Sequence, residues 1–240
     1  PKNSWFPNIQ VLASRQKEGS AKGLFFAAKG GTNFESHNHN DVGSFVIYKD
    51  GNPVVVDPGV GIYTKQTFGP DRYEMWYMQS SWHNCPTING AMQQAGRAFV
   101  AKDVKYSNFG MKVSLSMDIA SAYPPSAKVK KWSRAFQFDS KRGSLQLTED
   151  YELSEFKTPS VLNFLVNGSA TETSKGKIKL TNNQNNTVYL SYDPERFIFT
   201  KEVKDIEDQK LKKQWNGSLT KIILTRKDTL LVGNYNIEFN

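Results

Sequence analysis

Residues 35–45 read ESHNHNDVGSF and carry His37 and His39, two of the three histidines in the chain. The third, His83, lies in SSWHNCP and is followed by asparagine, as the other two are. Imidazole changes its charge closer to neutral pH than any other side chain and is the commonest metal ligand, so this spacing invites acid–base or metal chemistry. On an extended backbone residues i and i+2 face the same way, which predicts that His37 and His39 present both rings to one space. Downstream, Asp57 ends the apolar run of VVVDPG, where Pro58 and Gly59 turn the chain. A half-buried carboxylate at such a point needs a partner. His39, Asp57 and His83 together form a two-imidazole, one-carboxylate set suited to a divalent metal, with Zn²⁺ the natural first choice. The same residues also admit a plainer reading, in which three surface histidines bond locally and Asp57 caps the Pro-Gly turn.

The elements that must position these groups repeat with period two. Strand-like runs include GLFFAA (23–28), SFVIY (44–48), PVVVD (53–57), MKVSLSMDI (111–119), WSRAFQF (132–138), SLQLTEDYEL (144–153), VLNFLV (161–166) and LTKIILTR (219–226). Alternation of this kind, broken by turn clusters, is the signature of half-buried strands. KDGN (49–52) and RKDT (226–229) read as hairpin connections and NNQNN (182–186) as a polar loop. Helical periodicity is confined to PDRYEMWYMQSS (70–81) and DIEDQKLKKQW (205–215). The pattern predicts an all-β fold, an antiparallel two-layer β-sandwich with at most short helices, forming a single domain over residues 1–240.

Composition narrows the partners. Lys and Arg total 31 against 23 Asp and Glu, a formal charge of +8 that favours polyanions. Nucleic acid and acidic polysaccharide both qualify, but the basic residues are scattered, as in KVKK (128–131) and KLKK (210–213), without the dense stripe expected for nucleic acid, and a solvated surface is the plainer reading. No apolar run approaches the eighteen or so residues of a membrane span. The single cysteine, Cys85, excludes an intrachain disulfide and a thiolate-rich metal site; beside His83 it is either a catalytic thiol or a buried inert one.

NHNDVGSFVIYKDGNPVVVDPGVGIY followed by SSWHNCPTINGAMQ resembles the β-sandwich domain of the heparinase II/III group of polysaccharide lyases, most strongly over residues 37–93. That group shows an HxHxD segment, a strand pair closing on a VDPG turn, and an HN segment leading into a strand. Trp82 and Cys85 depart from the small residue and the threonine usual in the last of these. The resemblance implies a structural zinc on His39, Asp57 and His83, with His37 reaching the substrate cleft. It also implies a cleft tyrosine, for which Tyr73 is the choice within residues 63–77, with Tyr77 and Tyr63 as rivals; Arg72 beside it could meet a uronate carboxylate or simply be solvated, and Asn38 is a further substrate-binding candidate. The implied activity is β-elimination on a uronic-acid polysaccharide, in the periplasm or outside the cell. In the family the cleft is completed by an N-terminal (α/α) toroid, so PKNSWFPNIQ reads as the continuation of an upstream domain. A carbohydrate-binding or purely structural sandwich is the alternative from a different functional class, and a nucleic-acid binder is the third.

Overall fold

A computed structural model describes residues 1–240. The first strands are β1 (Asn3–Phe6), β2 (Val11–Arg15), β3 (Leu24–Lys29), β4 (Phe45–Lys49), β5 (Asn52–Val55) and β6 (Pro86–Thr87). Next come β7 (Lys102–Phe109), β8 (Lys112–Asp118), β9 (Val129–Asp139), β10 (Ser144–Leu153), β11 (Val161–Val166) and β12 (Gly168–Ser174). The chain ends with β13 (Lys177–Asn182), β14 (Thr187–Ser191), β15 (Phe197–Asp205), α1 (Gln209–Trp215), β16 (Ser218–Arg226) and β17 (Val232–Phe239). One sheet has nine strands, in the order β1-β2-β3-β4-β5-β11-β16-β15 with β6 beside β11. The other has eight, β12-β13-β14-β17-β10-β9-β8-β7. All pairings are antiparallel, so the chain is the two-layer sandwich that its alternation predicts.

Period two places the apolar face of each strand between the sheets. Phe26, Phe45, Phe136, Phe138, Phe164 and Phe239 are fully buried there, and Phe45 lies 5.3 Å from Phe136 and 5.6 Å from Phe239, ring centre to ring centre. Edge-on and tilted aromatic pairs at this spacing add to the burial of apolar area that holds the layers together. A second, smaller cluster covers the outer face of the nine-stranded sheet, where Leu165 of β11 and Leu219 of β16 meet Tyr77, Met78, Trp82, Leu211 and Trp215. This cluster matters for function, because it fixes the 60–82 segment and α1 against the sheet that carries Asp57.

Two local expectations change, and one strand has no signal in the sequence. Residues 70–81 form not one helix but three short 3₁₀ helices, Pro70–Glu74, Trp76–Met78 and Ser80–Trp82, interrupted at Met75 and Gln79 where the backbone is extended. With about three residues per turn and two breaks, the segment buries Tyr77, Met78 and Trp82 together in one cluster. RKDT is not a hairpin either: β16 belongs to the nine-stranded sheet and β17 to the other, so the chain crosses layers there. The crossing is held by Arg226, whose Nη2 donates to Tyr151, Asp228 and the Leu230 carbonyl. Strand β12, GSATETS, carries no apolar signal because it is an edge with only Ala170 buried. KDGN is the tight turn expected, with Asp50 at φ 51° and Gly51 at φ 82°, the backbone that a two-residue hairpin requires.

Candidate metal centre and cleft

His83 is wholly buried, at the start of the chain's return into β6. Its Nδ1 lies 2.8 Å from Asp57 Oδ2 and its Nε2 lies 3.1 Å from the Tyr77 carbonyl oxygen. Asp57 lies two residues beyond β5, oriented by the Gly59 amide, which donates to Oδ1 at 2.9 Å. Below the turn, Trp215 Nε1 donates to the Pro58 carbonyl, so α1 clamps the VDPG corner. The His39 ring stands edge-on to His83 at 5.2 Å, and one ligand atom from each of His39, Asp57 and His83 lies within 4.8 Å of the others.

These residues fit a zinc ion, and the hydrogen-bond chemistry of His83 is the test. Both groups facing its ring, a carboxylate and a carbonyl, are acceptors, and a neutral imidazole donates only once. The buried ring must therefore carry two protons, or one proton on Nε2 toward Tyr77 and a metal ion at Nδ1, the usual pairing of a histidine ligand with a backbone acceptor. Burial alone would lower the His83 pKa, but the adjacent Asp57 carboxylate holds it above the ordinary value. Asp57 shows the reverse balance: burial would raise its pKa, yet His83 keeps it well below the usual carboxylate range. His39, pressed by burial and then by the neighbouring His83 against the opposing pull of Asp57, falls to about 4 and stays neutral, as a ligand must.

A solution measurement follows. In metal-free protein the His39 ring should titrate near pH 4 rather than near 6.5. The unfolded chain takes up that proton at the higher pH, so acidification across this window should destabilise the metal-free protein. Histidine ring ¹⁵N spectra read the midpoint directly, and a midpoint near 6.5 would show that the ring is solvated.

The segment bearing His37 and His39 departs from the expected extended geometry. His37 has φ 58° and sits in a turn closed by the Asn38 amide to the Glu35 carbonyl at 3.2 Å, so the two rings do not share a direction by strand alternation. His37 is exposed and leans toward Tyr63, whose hydroxyl is 3.5 Å from its Nδ1, and toward Phe68. One open cleft of ≈430 Å³ nevertheless gathers His37, Asn38, His39 and Asp57, with Lys29 and Asp41 on its wall. Tyr73 does not line it. Its hydroxyl donates to Asn38 Oδ1 at 2.9 Å, and its ring borders a separate hollow of ≈320 Å³ with Asn40 and Gln79. Arg72 is engaged as well, donating to the Thr67 carbonyl at 2.7 Å and the Asn38 carbonyl at 2.8 Å. Both side chains thus hold the Asn38 loop from behind. Tyr77 turns its hydroxyl toward Met75, which leaves Tyr63, itself outside the lining of that cleft, as the phenol beside His37.

Sequence reasoning passes over the residues that lock these loops. Asn84 donates to the carbonyls of Phe45 and Val56 and accepts from the Leu165 amide, tying three strands beside His83 and Asp57. Gln93 bonds both backbone groups of Val42 and the side chain of Asn33, which in turn accepts from the Asp41 amide. The only available signal was the asparagine that follows each histidine. Cys85 is buried beside Val42 with its thiol pushed by burial up to about 12, so it is inert.

The chain's shape and sequence both find relatives. It superposes on the heparan sulfate lyase HepC of Pedobacter heparinus with a TM-score of 0.75 and 15% identity, over 99% of this chain and 36% of that one. A heparinase III gives 0.74 with the same identity and coverage. A second heparinase III structure gives 0.73 at 16% identity, over 99% and 35%. This chain therefore spans about a third of the length of the solved lyases it matches. No curated protein matches it by sequence. The family profile described as "Heparinase II/III-like, C-terminal" matches residues 9–227, nearly the whole chain, and with that match the chain belongs to the heparinase II/III-like family as its C-terminal domain.

Proposed function

We propose that this domain is the β-sandwich portion of a polysaccharide lyase that cleaves uronic-acid polysaccharide by β-elimination. The observation that carries the reading is the cleft in which His37 and Asn38 stand beside the His39–Asp57–His83 cluster, on a sandwich of the heparinase type. An N-terminal helical toroid of the same polypeptide would supply the opposite wall, and the periplasm or the cell exterior would be the place of action. Zinc on His39, Asp57 and His83 would be structural, binding the HNHND, VDPG and HN segments into one unit.

The chemistry asks little more than well-placed proton carriers. The hydrogen on C5 of a uronate is weakly acidic because the adjoining carboxylate can take up charge. Removing it sends the electron pair into a new C4=C5 double bond, the C4–O bond breaks, and the leaving oxygen takes a proton. His37, exposed on the cleft wall, can accept the C5 proton or bond the substrate carboxylate. Tyr63, the phenol facing it, is placed to share that proton transfer. Tyr73, through Asn38, and Arg72, through the Asn38 carbonyl, hold the loop that aims His37. The Asn38 side chain, on the rim of the same cleft, offers the amide for a substrate hydroxyl or carboxylate.

Full-length protein tested on a panel of heparan sulfate, chondroitin-type and alginate chains should generate the ultraviolet absorbance of an unsaturated uronate with at least one of them. Tyr63→Phe should then lower kcat by tenfold or more, whereas Tyr73→Phe should act chiefly on stability. Saturable binding of an acidic glycan without any unsaturated product would instead assign the domain to the carbohydrate-binding class.

A further inference from the structure

Arg134 of β9 and Glu149 of β10 form an ion pair in the middle of the sandwich, with side chains 1% and 0% exposed. The guanidinium Nε donates to Glu149 Oε1 at 2.9 Å and Nη2 lies 2.7 Å from the same oxygen, while Trp132 Nε1 donates to Oε2 at 2.8 Å. The remaining nitrogen, Nη1, leaves its own sheet. It donates to the Gly43 carbonyl at 2.7 Å and to the Asn84 carbonyl at 2.6 Å. Gly43 follows His39 by four residues and Asn84 follows His83 directly, so one nitrogen joins the two histidine-bearing segments at a single point.

We propose that the Arg134–Glu149 pair is the positioning device of the histidine cluster, setting the distance between the His39 and His83 segments from across the core. It rests on the reading of that cluster as a zinc site. Two independent features support it. A buried ion pair gains little stability over well-packed apolar side chains, so its presence in the core calls for another reason. Moreover, Gly43 has φ +81°, and a Cβ there would lie 2.9 Å from Ile119 and 3.2 Å from the Arg134 side chain, so the loop is shaped to let the guanidinium approach. Both carbonyls need a donor in a region closed to water, and a planar fork with its far side anchored on a carboxylate supplies it in one fixed place.

Two variants of this chain test the inference. Arg134→Lys keeps the charge but cannot reach Glu149 and both carbonyls with one ammonium. Arg134→Met with Glu149→Leu removes the pair without leaving a lone buried charge. Zn²⁺ affinity is measured by competition with a chromogenic chelator, alongside thermal melting and the histidine ring ¹⁵N spectrum of the metal-free protein. Positioning predicts that a folded variant binds Zn²⁺ at least tenfold more weakly and shifts the His83 and His39 ring signals. A folded variant with wild-type affinity and unshifted rings overturns it. So does loss of folding in both variants, which would make the pair a support of the whole sandwich. Should the wild-type protein take up no Zn²⁺, the metal reading falls by itself, and the ring signals of the variants still decide whether the pair positions the histidines.

Discussion

On the proposed lyase reading, His37→Ala should cut kcat of the full-length protein by about a hundredfold or more, the usual scale for losing a positioned acid–base group, while leaving metal content and melting temperature as they were. The separation of the two effects follows from where the side chain sits. His37 is exposed, in a turn whose backbone bond from Asn38 to Glu35 survives the substitution. The aromatic rings it approaches, Tyr63 and Phe68, are themselves exposed at 49% and 69%. Little apolar area is lost with it, and substitutions at such surface positions usually change stability by less than about 0.5 kcal/mol. Turnover that persists in the alanine variant would return His37 to the scaffold and shift proton transfer to Tyr63 or to the proposed N-terminal domain.

His39→Ala should have the opposite profile. Protein purified without chelator should contain close to one zinc per chain, and the variant should contain almost none. Structural zinc contributes several kcal/mol to small folds. For a chain of this size each kcal/mol moves the melting temperature by roughly 2–4 °C, so a fall of about 10 °C is expected. Inside the unoccupied cluster, His83 and Asp57 would still satisfy each other at 2.8 Å, which is why loss of the metal should destabilise the loops without dismantling the sandwich. Chelator treatment of the wild-type protein should reproduce the shift. Unchanged metal content and melting behaviour in the alanine variant would show that the cluster is a hydrogen-bonded structural knot.

Much of this was legible in the chain. Alternation in SLQLTEDYEL and WSRAFQF is a local property, since the pleat alone decides which side chains share a face, and it determined the fold class. HNHND, VDPG and WHN also carry their chemistry in residue type, so His39, Asp57 and His83 could be grouped before any distance was known. What stayed hidden depends on packing between distant segments. The directions of Tyr73 and Tyr77 are set by the 3₁₀ turns as they pack on Leu165 and Leu219, while Tyr63 lies upstream of those turns, so nothing local distinguishes the phenol that faces His37 from one that props Asn38. RKDT looks like a hairpin turn because its residues suit one, and only the layer assignment of β17 shows that it crosses the core.

Arg134 and Glu149 show the division most sharply. Each stands on the inward parity of its strand, with Trp132, Phe136 and Phe138 on one and Leu145, Leu147 and Tyr151 on the other. The sequence by itself thus determined that two opposite charges point into an apolar core, where an unpaired charge is prohibitively costly. Only the tertiary structure decided that they meet, and that the guanidinium left over reaches Gly43 and Asn84, ninety-one and fifty residues away in the chain. The pleat acts between neighbours along a strand, whereas the meeting of those carbonyls with Arg134 is fixed by the register of β9 on β10 and by the stacking of one sheet on the other.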